Sequence, residues 1–430
     1  MAPGVNKKEI AVFLVFLVLF LSVAAYVNFP EIPKYNYHFG GEYGKIAEAL
    51  VNGKGYANPF GTESGSTAWM PPLYTFLLAL IFWVFGPYTP ASVWALLGLK
   101  YLALSIVPIL LLRMCRRTYP GIESYLVLPI YLCLIFYSSG TFFSMTHDVW
   151  LVLLMIAVLF YNRWYYLNVS KSNRLELGWG ILGGLLFLTS PILGIIYIFL
   201  TFVPKNTTGL KKKLALVVLS IVICSPWLVR NYLSFDRFVF VKSNLFFELY
   251  QNNYLDEDGV IDLGTFEKFH PFWDEEIQET YTSFGEARFL AKYRDAFLSE
   301  FKNKPWVFLK KAGHRFLRAF IVPASMVPQE KSHGFYGDLK FFVKAAVYWI
   351  PLLMCIYFLF AKGIPDINTL RAGATLFLSY LAPYVVVGFY KRYRIPLVPI
   401  FAIFYFFFFM HMREFWQRKR SRQAEQQRIG

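Results

Sequence analysis

Charge is scarce in this chain, and negative charge most of all. Asp, Glu, Lys and Arg make up only 16% of its 430 residues, against roughly 25% in a soluble domain. With 57% hydrophobic and 20% aromatic residues beside that deficit, an ordinary soluble globular protein is excluded. Cysteine is nearly absent as well. Cys115, Cys133, Cys224 and Cys355 lie in or at the ends of apolar segments. They have neither metal spacing nor a pairing pattern, which leaves them as buried thiols. No internal repeat appears at any period, and the apolar segments are nearly free of charge at their centres. Both absences weigh against a secondary transporter or lipid flippase, which pairs inverted repeats with midplane charges.

What the chain does have is a series of long apolar runs. Ile10 to Val27 is of spanning length. It is too long, and too poor in cleavage-site residues before Asn28, for a removed signal peptide. Twelve segments follow the pattern: 9–29, 72–86, 92–114, 121–139, 148–166, 176–189, 190–203, 213–229, 306–325, 341–361, 368–389 and 395–412. The expected fold is an all-α polytopic membrane protein with about 11–12 transmembrane helices. Thr189-Ser190-Pro191 predicts a broken helical hairpin with proline at the bend. Segments 72–86 and 306–325 also read as half-helices or interfacial helices. The formal net charge of +16 does not point to nucleic acid. It gathers at Lys7-Lys8, Arg113 with Arg116-Arg117, Lys211-Lys212-Lys213 and Arg418 to Arg422, which read as cytoplasmic anchors. Both chain ends then lie inside, and the number of crossings is even. The sequons at Asn168-Val169-Ser170 and Asn206-Thr207-Thr208 fall in loops on that inner side and are discounted.

Three parts follow: an N-terminal membrane module over 1–230, an outer region over 231–304, and a C-terminal membrane module over 305–430. Two stretches stand outside the membrane, 30–71 and 231–304, and the second holds 14 of the chain's 27 acids. It reads as a polar loop from Gln251 to Gly264 and then a mostly helical stretch from Asp274 to Lys302. Tyr293, Phe297 and Phe301 recur at four-residue spacing there, which predicts a helix lying on the membrane body.

Four constellations can carry chemistry. Glu42 follows Gly40-Gly41 just beyond the first span. It is exposed enough to meet a substrate and near enough to low dielectric to be tuned as a base. The bland alternative is a solvated acid beside turn glycines. Asp148, in Thr146-His147-Asp148, opens a long apolar run on the same side; it reads equally as a helix cap and as a functional acid at the mouth of a span. One His and one Asp are too few for a metal site, so no cofactor is assigned and a divalent cation stays open. Arg230-Asn231 and Lys391-Arg392-Tyr393-Arg394 are positive on the outer side, against the usual bias. A lipid phosphate would account for them; snorkelling is the alternative. His270-Pro271 with Glu276, and Gly285-Glu286, complete the set, with a buried salt bridge or helix cap as their default reading. Asp256-Glu257-Asp258-Gly259 lacks the later ligand positions of a calcium loop. Tyr43, Trp69 and Tyr393 are suited to stacking on a sugar ring, and an interfacial aromatic belt accounts for them equally well.

The ordered set resembles the GT-C glycosyltransferases, in the branch of bacterial family 39-like protein mannosyltransferases and aminoarabinose transferases. The matching pieces are Glu42-Tyr43-Gly44-Lys45-Ile46-Ala47-Glu48-Ala49-Leu50, Gly53-Lys54-Gly55-Tyr56 and Pro71-Pro72-Leu73-Tyr74, then Thr146-His147-Asp148 and Ser225-Pro226-Trp227-Leu228-Val229-Arg230-Asn231. Ser243-Asn244 with Glu248-Leu249-Tyr250, His270-Pro271, Gly285-Glu286 and Arg392-Tyr393-Arg394-Ile395-Pro396 complete the series. No single piece is specific; their order along nearly the whole chain is. The resemblance implies a multi-pass protein of a prokaryotic cytoplasmic membrane with its active site facing outside. It implies a polyprenyl-phosphate-linked sugar donor, a lipid, glycan or protein acceptor, and inverting transfer. Glu42 and Asp148 take the catalytic roles; Tyr43, Lys45, His147, Arg230, Asn231, His270, Glu286, Lys391, Arg392 and Arg394 form the expected substrate-binding set. The family places an Asp, often Asp-Glu, further upstream of the Ile-Ala pair; here Phe39 and Gly40 stand there, and Glu42 is the nearest acid. The absence of a large C-terminal soluble domain makes transfer of one sugar the expectation. A polysaccharide ligase or polymerase shares the donor and differs in acceptor.

Overall fold

The computed structural model describes residues 6–28, 39–138, 142–143, 146–168, 173–202, 209–256, 259–261, 263–321 and 335–429. Most of both sequons, residues 30–38 of the first outer stretch and residues 322–325 of the expected segment 306–325 lie outside them. The chain runs α1 (Lys7–Asn28), α2 (Glu42–Val51), α3 (Pro72–Phe85), α4 (Pro90–Leu104), α5 (Val107–Thr118), α6 (Val127–Ser138), α7 (Val149–Asn168), α8 (Asn173–Thr189), α9 (Pro191–Phe202) and α10 (Leu210–Phe235). Then come α11 (Leu245–Tyr250), α12 (Leu263–Phe269), α13 (Glu275–Asn303), α14 (Pro305–Phe320), α15 (Phe335–Phe360), α16 (Ile367–Val387) and α17 (Val398–Ile429). The described residues contain no β-sheet, only two isolated bridges.

Six stretches are long and apolar enough to cross a membrane: Lys7–Asn28, Pro90–Thr118, Val149–Asn168, Leu210–Phe235, Ile367–Val387 and Lys391–Gln426. The chain is therefore an all-α membrane protein. Its bundle has two chemically different ends. At one, Arg113 grips Glu9 through Nε at 2.8 Å and Nη2 at 2.9 Å. Lys212 pairs with Glu176, Thr118 donates to Asp366, and Arg413 reaches Glu123 at 3.4 Å. The four basic groups read as anchors share this end. The opposite end carries α2, the loops that open α7 and α17, and the region 236–304.

Two of the twelve expected spans do not behave as spans. Helix α3 lies along α2 instead of running down the bundle. At its start the Tyr56 and Thr75 hydroxyls are 2.9 Å apart, and the Tyr74 hydroxyl donates to Thr146 O at 2.5 Å. At its end Phe82 packs on Phe39 at 4.9 Å between ring centroids. Both ends of α3 therefore stay with the loop regions around α2. Helix α14 carries Lys310, Lys311, His314, Arg315 and Arg318 within 16 residues, too many charges for a lipid-embedded span.

The expected hairpin is present. Helix α8 ends at Thr189 and α9 begins at Pro191. Trp179 Nε1 donates across the pair to Thr201 Oγ1 at 2.9 Å. Glycine makes the packing possible: a Cβ on Gly184 would sit 2.5 Å from the Ile223 side chain of α10. Small residues of this kind let membrane helices approach closely.

Helix α13 covers the site end as two helical pieces joined at a kink. Asp274 caps it by accepting from Ile277 N at 2.9 Å, and Gly285 breaks it at φ +71°. Phe297 stacks on Phe301 and packs on Phe308 of α14, so the predicted aromatic stripe faces protein. Arg315 is fully buried and knots this layer. It donates to Val385 O (2.6 Å), Val386 O (2.9 Å), Asn252 O (3.1 Å), Gly259 O (3.3 Å) and Asn253 Oδ1 (2.7 Å). It thereby satisfies the last carbonyls of α16 and holds the chain that leads to Arg392.

Candidate active site

Helix α2 starts at Glu42, and its N-cap Gly41 has φ +66°. Phe39 and Gly40 also have positive φ, at 47° and 78°. This turn brings the backbone against two distant segments. A Cβ on Gly40 would stand 3.4 Å from His147 Nδ1, and one on Gly41 3.6 Å from the Phe272 ring. Glycine is suited to both positions because it accepts that φ and leaves the room.

The Glu42 side chain is 14% exposed, and its Oε1 lies 3.3 Å from His270 Nε2. The contact is a hydrogen bond from a neutral ring. Burial, with Lys242 nearby, drives the His270 pKa down to about 3. Its Nδ1 accepts from Phe272 N at 3.2 Å, which places the ring proton on Nε2, facing Glu42. Burial pushes the Glu42 carboxyl up to about 7, against the pull of Lys242 and Arg392. That value suits a general base near neutral pH.

Asp148 stands just before α7 and accepts from the Tyr43 hydroxyl at 3.0 Å. Burial raises its pKa, while Arg392 and the Tyr43 bond oppose that shift. Burial, with Asp148 adding to it, pushes Tyr43 well above the usual phenol range, so it remains a donor. Arg392 Nη1 lies 3.5 Å from both His147 ring nitrogens, and its guanidinium sits 4.7 Å over the Tyr390 ring. Tyr393 stacks on Tyr384 at 4.0 Å. Lys242 pairs with Glu248 at 2.7 Å. Burial opposes its charge, but Glu248 overcomes this and holds the amine above its ordinary value. Both carboxylates feel Arg392 and Lys242. The cluster therefore holds the acids Glu42, Asp148 and Glu248, the cations Lys242 and Arg392, the imidazoles of His147 and His270, and a tyrosine wall at the head of an apolar bundle.

Of the residues singled out in the sequence, Glu42, Tyr43, His147, Asp148, His270 and Arg392 meet here. The others are engaged elsewhere. Arg230 donates to Thr67 O and Tyr56 O, both at 2.6 Å, and so clamps the first loop. Asn231 Nδ2 donates to Val239 O at 3.2 Å. Arg394 donates to Ala319 O at 2.9 Å. Lys45 turns to Glu48 at 3.3 Å and lies over the Tyr88 ring at 5.0 Å. Lys391 is exposed. Glu286 is buried and accepts from Ala68 N at 2.9 Å, from Tyr281 at 2.7 Å and from the Thr67 hydroxyl. It pins the loop 67–68 onto α13.

Lys242 is the cation that sequence reasoning missed. The signal was its place beside Ser243-Asn244, six residues before Glu248 in the acid-rich region. Among the described residues no group of three or more His, Cys, Asp or Glu side chains is arranged to hold a metal ion. A comparison with protein-family models finds no match, and neither curated proteins nor solved structures yield one.

Proposed function

We propose that the chain is a GT-C-type membrane glycosyltransferase that moves a single sugar from a polyprenyl-phosphate donor to an acceptor hydroxyl. The observation that carries this reading is the pairing of Glu42, buried and tuned to about 7, with the cations Lys242 and Arg392. In the reaction, Glu42 takes the proton of the acceptor hydroxyl. The freed oxygen attacks the anomeric carbon, the bond to the phosphate oxygen breaks, and the phosphate departs with the electron pair. One displacement inverts the carbon. Lys242 and Arg392 offset the charge left on the phosphate. Asp148, fixed by Tyr43, holds Arg392 electrostatically and orients the sugar. A lipid phosphate is already a good leaving group, so no general acid is required.

In this reading α3 and α14 lie at the outer surface. The passes are α1, the α4–α5 pair, α6, α7, α8, α9, α10, α15, α16 and α17. Ten is an even number, and it leaves all four basic anchors in the cytoplasm. The site then faces outside, where its charges stand at one end of the bundle. A transporter would set them at the midplane.

The test is release of polyprenyl phosphate by purified protein from a panel of polyprenyl-phosphate sugars with acceptor extracts. Wild-type turnover that is lost in Glu42→Gln and reduced in Asp148→Asn, with both variants folded, is the expected result. Full activity of Glu42→Gln would remove it as the base. No donor binding across the panel would overturn the transferase reading.

A further inference from the structure

The bundle's basic end holds a cleft of about 490 Å³, open solvent included, between α7, α8, α9 and α10. Arg163, Tyr166, Leu175, Glu176, Trp179 and Leu200 line it. Arg163 is only 7% exposed. Among the described residues its guanidinium makes no hydrogen bond and no ion pair; it lies 5.8 Å from the Tyr166 ring. The other two arginines at comparable burial are satisfied, Arg315 by five acceptors and Arg394 by Ala319 O. The acid in the cleft does not answer the charge either, because Glu176 is held by Lys212. Among the described residues the Arg163 nitrogens open onto the cleft and not onto a protein acceptor, and an anion entering the cleft pairs that charge.

We propose that this cleft binds the phosphate headgroup of an anionic membrane phospholipid. Phosphate matches the fork of a guanidinium. Asn162, Tyr166 and Thr201 add polar groups to the lining, and Leu175, Trp179, Leu200 and Leu216 form its apolar wall. Beside it α10 exposes Leu214, Val218, Ile221 and Val222, a surface suited to acyl chains. Basic pockets between helices at a cytoplasmic membrane surface are recurrent anionic-lipid sites. Arg163 is fifteen residues along α7 from Asp148 (163 − 148), about 22 Å at the helical rise. The cleft is thus separate from the candidate active site and does not rest on the transferase reading.

The test uses the full chain in mild detergent, titrated with dioleoyl phosphatidylglycerol, dioleoyl phosphatidylcholine or inorganic phosphate. Bound lipid is counted by native mass spectrometry, and Trp179 is read through quenching by brominated acyl chains. Wild type is expected to retain phosphatidylglycerol over phosphatidylcholine. Arg163→Gln should weaken that binding about tenfold or more, and Arg163→Lys should weaken it less. Trp179→Phe should remove the phosphatidylglycerol-specific part of the quenching. Equal retention by wild type and Arg163→Gln would overturn the site. So would unchanged quenching in Trp179→Phe, which decides the matter even if Arg163→Gln fails to fold. Saturation by inorganic phosphate with no further gain from the lipid would overturn the lipid as ligand.

Discussion

Glu286 and Glu42, both largely enclosed, show how two carboxyls at one end of the bundle can serve different roles. Glu286 has a ring of donors: Ala68 N, Tyr281 and the Thr67 hydroxyl. It serves as a bracket between the first loop and α13. Glu42 is buried beside a neutral His270, and its carboxyl rises to about 7. Three donors fix the Glu286 carboxyl as architecture; burial raises the Glu42 carboxyl and leaves it able to take a proton near neutrality. The same contrast divides the outer arginines. Arg230 and Arg394 spend their charge on backbone carbonyls, while Arg392 faces Glu42 and Asp148.

Substitution sharpens this comparison. The largest effect is expected for Glu42→Gln, which should cut turnover about 10²–10⁴-fold, the range of a lost general base, while the protein remains folded. Glu286→Ala should do the reverse. It strands three donors, costs about 3 kcal/mol or more, and lowers activity only through the loss of folded protein. Thermal unfolding beside turnover per folded molecule separates the two. Next comes pH. Folded Glu42 titrates near 7 and its unfolded reference is 4.5, so the folded state binds the extra proton between those values. Its stability contribution is full below about pH 4.5 and is lost as pH rises through 7. Glu42→Gln should therefore raise the unfolding midpoint at pH 8, by at most about 3 kcal/mol in stability, with no gain at pH 4.5. Turnover by wild type should rise with pH through about 7; a flat profile over pH 5–8 would contradict Glu42 as base. Arg392→Gln should lower turnover about 10²-fold with little change in stability, whereas Arg394→Gln, which frees Ala319 O, should cost about 1–3 kcal/mol. The smallest effect is expected for His270→Gln, whose amide can still donate to Glu42. With the imidazole titrating only near pH 3, the pH profile above 5 should keep its shape.

The helices were legible because apolar runs of spanning length have few alternatives in a chain so poor in charge. Segment 72–86 shows the limit of that reasoning. A 14-residue helix that is apolar all round reads as a span by hydropathy, and its contacts at both ends with the loop regions around α2 decide otherwise. Glu42 and Asp148 were legible from their position at helix openings beside spans. Their surroundings were not. Pairing between Lys242 and Glu248 leaves no periodic trace, and a carbonyl that occupies Arg230 or Arg394 is invisible in a sequence. Outer arginines that read as phosphate ligands can therefore be brackets.

Helix α3 leaves Phe76, Leu80, Trp83, Val84 and Phe85 exposed. Lying beside α2, it acts as a float for the loop that carries Glu42. Long helices answer a thicker or thinner bilayer by tilting, but a flat apolar helix follows the surface of its own leaflet. Glu42, one helix away, rides with it. The height of Glu42 is thus set by local buoyancy and keeps its level in that leaflet whatever the thickness of the membrane beneath.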